Sequence, residues 1–96
     1  MKIVVLDGKA LAANDLNYDV FKEFGEVTVY ENTKNDQAVE RINISEVVIT
    51  NKVLLTREVL AQCKNLKLVL VMATGYNIID LNAAKEFGIT VCNIPL

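Results

Sequence analysis

No histidine occurs anywhere in the 96 residues. Histidine acid–base catalysis and histidine metal ligation are therefore excluded within this chain. No G-x-G-x-x-G run follows the first apolar stretch, where Asp7-Gly8-Lys9-Ala10-Leu11 stands instead, and there is no Walker lysine loop. The chain is thus not expected to bind a dinucleotide or a nucleoside triphosphate in the usual way. A Gly-x-Ser-x-Gly nucleophile elbow is also missing. No apolar run is long enough to span a bilayer. At the start, Asp7 interrupts the run Ile3-Val4-Val5-Leu6, which favours a first core strand over a signal peptide. The net charge of −2 and the scattered Lys and Arg offer no surface for nucleic acid. Cys63 and Cys92 have no metal-ligand spacing, and read as reduced, mostly buried thiols of a cytoplasmic protein.

With no Trp, three Tyr and three Phe against 52% apolar residues, the core must be built from Val, Ile and Leu. That composition suits parallel strands buried on both faces. Five short branched runs, at residues 2–6, 27–30, 47–50, 68–72 and 90–92, alternate with four helical patterns. The first helix is predicted over 15–24, capped by Asn14 or Asp15, stopped by Gly25, and burying Leu16, Val20, Phe21 and Phe24. The second, over 36–42, buries Ala38, Val39 and Ile42. The third, over 57–62, has Thr56 as its cap and turns Val59, Leu60 and Cys63 inward. The fourth, over 81–87, is capped by Asp80, buries Ala83, Ala84 and Phe87, and stops at Gly88.

Strand–helix alternation implies right-handed crossovers and a doubly wound parallel sheet. The expected architecture is α/β and flavodoxin-like, with strand order 2-1-3-4-5, in a single domain over 1–96 without linker or repeat. The sole proline, Pro95, bars continuation of the last strand. Five strands with four helices leave the last strand without a helix to follow it. An apolar strip beside the first strand and its helix should then lie bare, and this chain is expected to cover it by self-association through that face or by rearranging its termini.

In such a sheet the carboxyl ends of the strands carry the ligand. Three loops fall there: Asp7-Gly8-Lys9, Asn51-Lys52-Val53 and Ala73-Thr74-Gly75-Tyr76-Asn77. Thr74 and Gly75 are small, and their backbone N–H groups can form a concavity for a carboxylate; Gly75 equally serves as a plain tight turn. Asn51 can offer amide hydrogen bonds and Lys52 can attract an anion, or both can belong to a solvated turn. Asp7 invites comparison with phosphorelay receivers, but a receiver needs an Asp after its third strand, where Thr50-Asn51 stands. Asp7-Gly8 reads instead as a turn or as packing beside the site.

The run Ala-Thr-Gly-Tyr-Asn-Ile-Ile-Asp from Ala73, and its continuation Ala-Ala-Lys-Glu-Phe-Gly-Ile-Thr-Val-Cys-Asn-Ile-Pro, carry a resemblance. With the opening Met-Lys-Ile-Val-Val-Leu-Asp-Gly and the Thr50-Asn51-Lys52 loop, they resemble the N-terminal substrate-binding domain of NAD-dependent D-2-hydroxyacid dehydrogenases, nearest the glycerate dehydrogenase or hydroxypyruvate reductase branch. Many relatives outside that branch read Gly-Val-Asp-Asn-Ile-Asp where Gly75-Tyr76-Asn77-Ile78-Ile79-Asp80 stands.

The resemblance implies a two-domain homodimeric enzyme. A Rossmann-type domain outside this chain would bind NAD and carry the catalytic Arg, Glu and His. Within this chain it implies no catalytic, cofactor or metal residue. Thr74 and Gly75 would hold the substrate carboxylate, and Asn51 with Lys52 would face a small 2-keto or 2-hydroxy acid such as hydroxypyruvate. The 96 residues alone would be inactive. The rival expectation is a free-standing flavodoxin-like binding or regulatory module.

Overall fold

A computed structural model describes residues 1–12, 18–72 and 78–93. Its five strands are β1 (Lys2–Val5), β2 (Glu26–Val29), β3 (Val47–Thr50), β4 (Leu68–Val71) and β5 (Thr90–Asn93). All pair in parallel, in the order β2-β1-β3-β4-β5. Every strand lies within a residue of its predicted bounds, and the order is the expected one. The helices are α1 (Gly8–Ala12), α2 (Ala38–Ile42), α3 (Arg57–Gln62) and α4 (Leu81–Glu86), with short 3-10 helices at Tyr18–Phe24 and Asn35–Gln37.

The caps follow from local chemistry. Thr56 Oγ1 accepts from Val59 N (3.4 Å), and Asp80 Oδ1 accepts from Ala83 N (2.9 Å). Both satisfy donors that a first helical turn leaves unpaired. Gly88 takes the left-handed φ of +73° that ends α4. Gly25 serves a different purpose from a helix stop. A Cβ there would sit 2.0 Å from Met1 O, the atom that accepts from Glu26 N (2.9 Å) and starts the β1–β2 pairing.

Side chains alternate across the sheet with the period of two that strands impose. Val4, Leu6, Val48, Val69 and Val71 pack with Ala38, Ile42, Leu55, Leu60, Ile79, Ala83 and Ala84 into the larger core, under α2, α3 and α4. On the other face Ile3, Val5, Val47, Ile49 and Met72 form a smaller cluster, flanked by half-buried Phe21, Leu68 and Leu70. An apolar trough of about 290 Å³ opens there, lined by Met1, Ile3, Phe21, Phe24, Val47, Leu68 and Leu70. This is the bare strip the strand and helix count predicts.

Three expectations are corrected. The α-helix over 15–24 is replaced, in its described part, by the 3-10 helix Tyr18–Phe24, while α1 forms where a turn was expected; Asn14, Asp15 and Leu16 lie outside the described residues. The stretch is rich in branched and aromatic residues with weak helix preference. Side chains three apart eclipse in a 3-10 helix, so Phe21 and Phe24 both reach the trough while Val20 is 54% exposed. Phe87, expected in the core, is exposed and lies under the Arg57 guanidinium, 5.4 Å from the ring centroid. Cys92 is exposed as well, whereas burial pushes the Cys63 thiol pKa up.

Candidate ligand site at the carboxyl edge of the sheet

From β1 the chain winds outward to β2, then crosses back to β3 on the other side of β1. The carboxyl ends of β1 and β3 thus flank the topological switch point, where open sheets leave a crevice. Backbone pairing runs right up to it: Leu6 N donates to Ile49 O (3.0 Å) and Tyr30 N to Val5 O (2.9 Å).

Asp7 stands at that crevice with no exposed surface. One carboxylate oxygen, Oδ2, accepts from Thr50 Oγ1 (2.7 Å), Asn51 N (2.8 Å) and Lys52 N (3.0 Å). The other, Oδ1, is buried without a partner among the described residues. Thr50 Oγ1 in turn accepts from Val53 N (3.3 Å). Farther along, Leu54 N donates to Asn35 Oδ1 (3.1 Å) and Leu55 N to Ile78 O (2.7 Å). Leu55 O accepts from Asp80 N (3.1 Å), closing a parallel bridge between Leu55 and Ile79.

Each backbone N–H from residue 51 to residue 55 is therefore engaged within the chain. This loop can offer a ligand its side chains and carbonyl oxygens, but not its amides. Asn51 is half-buried at the crevice; Lys52 is exposed, and its ammonium enters no ion pair among the described residues. An unpaired ammonium here raises the local concentration of anions. Thr74 and Gly75 lie outside the described residues, as do Ala73, Tyr76 and Asn77.

The first β–α turn is committed in the same way. Gly8 N donates to Tyr30 O (2.8 Å) and Lys9 N to Glu31 O (3.0 Å), so these amides at the start of α1 face the extension of β2 and not a phosphate. A shallow depression of about 500 Å³ adjoins the site, lined by Leu54, Thr56, Arg57, Ile78 and Asp80. Its one guanidinium is already held, since Arg57 Nη1 and Nη2 both donate to Glu86 at 2.8 Å. Those bonds and the charge of Arg57 hold the Glu86 carboxyl below its ordinary pKa. A smaller cavity of about 140 Å³ lies beside Lys2, Glu26 and Asn43, at the amino ends of the strands, opposite the ligand-binding rim.

Sequence reasoning brought Asn51 and Lys52 to this edge but missed the reach of Asp7 and of Asn35. The available signal was two polar residues, Asp7 and Thr50, each closing an apolar strand run. Two such residues on neighbouring strands can bond across the sheet edge. Asn35 gave no signal beyond that of a turn residue.

Comparison with known proteins bears on what this edge serves. Residues 3–96 match the family model for the D-isomer specific 2-hydroxyacid dehydrogenase, catalytic domain. The chain is 46% identical to a hydroxypyruvate reductase of Blautia hydrogenotrophica, over 99% of this chain and 30% of that protein. It is 39% identical to a glycerate dehydrogenase of Methylorubrum extorquens, over 97% of this chain and 29% of that protein. In shape it is similar to the NAD+-bound 3-phosphoglycerate dehydrogenase of Entamoeba histolytica, with a TM-score of 0.80 and 27% identity, over 97% of this chain and 32% of that one. The chain thus spans about 30% of the length of each of these two curated relatives.

Proposed function

Because the chain belongs to the D-isomer specific 2-hydroxyacid dehydrogenase family, we propose that it is the substrate-binding domain of an NADH-dependent reductase of small 2-keto acids, with hydroxypyruvate as the leading substrate. The observation that carries this reading is family membership together with a switch-point edge at which Asn51 and Lys52 stand, Lys52 being exposed and without an ion pair among the described residues. The cofactor, bound by a domain outside this chain, supplies hydride to C2 of the keto acid. Catalytic Arg, Glu and His belong to that domain too. This chain's part is orientation. Amides of Thr74 and Gly75 grip the carboxylate, Asn51 bonds to the substrate's polar groups, and Lys52 draws in the anion. The parent enzyme is a cytoplasmic homodimer.

The test compares two proteins. The full-length parent should oxidise NADH with hydroxypyruvate, followed by NADH absorbance, and the 96-residue chain should give no turnover. An inactive parent, or turnover by the short chain alone, would remove this reading.

The apolar trough leads to a second expected result. In isolation the 96-residue chain covers Phe24 and its neighbours by self-association, because Phe24 alone is 62% exposed. Sedimentation velocity should show a dimer or larger species, and Phe24→Lys should shift it towards monomer. A wild-type chain that stays monomeric at high concentration would contradict this.

A further inference from the structure

A buried carboxylate with one oxygen carrying three hydrogen bonds and the other, among the described residues, carrying none calls for an explanation. Asp7 directly precedes α1, where a side chain of its type ordinarily caps the helix. Its bonds go elsewhere, across the sheet edge to residues 50, 51 and 52. The Asn51 and Lys52 amides belong to the two residues proposed above to meet the substrate. Thr50 extends the same arrangement: its single hydroxyl proton goes to Asp7, and its free lone pair takes Val53 N. The direction in which the Asn51 and Lys52 side chains leave the backbone is thus set by one carboxylate and one hydroxyl.

We propose that Asp7, acting through Thr50, is a positioning residue for substrate: it fixes the turn at residues 51–53 so that Asn51 and Lys52 face the keto acid. The inference rests on the function proposed above. It gives a purpose to a buried carboxylate oxygen that gathers three donors from one turn. Asparagine has the same shape but gathers less well. Its carbonyl is a neutral acceptor, and so a weaker partner for the three donors than a charged carboxylate oxygen.

The experiment uses the full-length parent with hydroxypyruvate and NADH. Asp7→Asn and Thr50→Val should each raise the KM for the keto acid by about tenfold or more, since Asn51 and Lys52 then bind it less well in ground and transition state alike. NADH affinity, read by fluorescence, and kcat should hold near wild type. Thr50→Ser keeps the hydroxyl and should restore the wild-type KM. Where Asp7→Asn fails to fold, the Thr50→Val and Thr50→Ser pair carries the test. An unchanged KM in a folded variant would overturn the inference. So would a Thr50→Ser variant no better than Thr50→Val, or a general fall in kcat and NADH affinity that marks mere loss of structure. A wild-type parent that reduces no 2-keto acid would instead bring down the functional reading, and this inference with it. An active wild type with indifferent variants removes this inference alone.

Discussion

Gly75→Val in the full-length parent is expected to raise the KM for a 2-keto acid by about 100-fold, with NADH affinity unchanged. The reasoning is one of supply. A substrate carboxylate held in a crevice needs N–H donors, and charge-assisted bonds of this kind contribute about 1.5–3 kcal/mol each. The loop after β3 has no backbone donor to give, because its main-chain amides at 51–55 already bond to Asp7, Thr50, Asn35 and Ile78. β4 is the neighbouring strand, and Met72 N still donates to Thr50 O (2.9 Å) at its end, so the chain that leaves β4 starts at the same edge. The next residues in sequence include Thr74 and Gly75. A branched side chain at 75 would hold a carboxylate away from those amides, and losing one bond is about 10- to 150-fold by the same figure. Steady-state kinetics on the purified variant checks it, and a KM within about twofold of wild type would refute the carboxylate role.

Much of the scaffold behind this site could be read from residue order. Buried parallel strands are continuous branched runs, so Val47–Thr50 and its neighbours announce themselves. Thr56 and Asp80 cap by bonds to residues three positions away, which sequence spacing reveals directly. What depends on distant partners was hidden. The bond from Thr50 to Asp7 spans 43 positions, and nothing local distinguishes a hub aspartate from a turn aspartate. Phe87 looked like core by helical spacing, yet the ridge that would cover it is a cation, Arg57, already drawn there by Glu86. Residues 18–24 failed for the opposite reason: the helical period is present, but Val20 and Phe24 find no cover on the described part of that face, so the burial that normally sustains a short helix is absent.

Leu55→Ala should unfold the 96-residue chain at markedly lower urea than wild type, whereas Leu54→Ala, one position away, should leave the midpoint nearly unchanged. Leu55 is fully buried in the larger core, and Leu54 is 43% exposed. Truncating a buried leucine removes its transfer energy and leaves a cavity, about 2–5 kcal/mol together. A surface truncation stays within about 0.5 kcal/mol. Small domains have about 5–15 kcal/mol in total, so the first loss is a large share of the whole. Circular dichroism against urea separates the two, with equal slopes marking a change in stability and not in compactness. The pair tests more than packing. Leu55 N and O bond to Ile78 and Asp80, so this residue clamps the loop after β3 to the segment that follows the glycine turn. If Leu55→Ala were as mild as Leu54→Ala, residues 51–55 would not belong to the cooperative core. Their amides would then open to solvent at little cost, and the argument that the substrate carboxylate must find its donors after β4 would lose its premise.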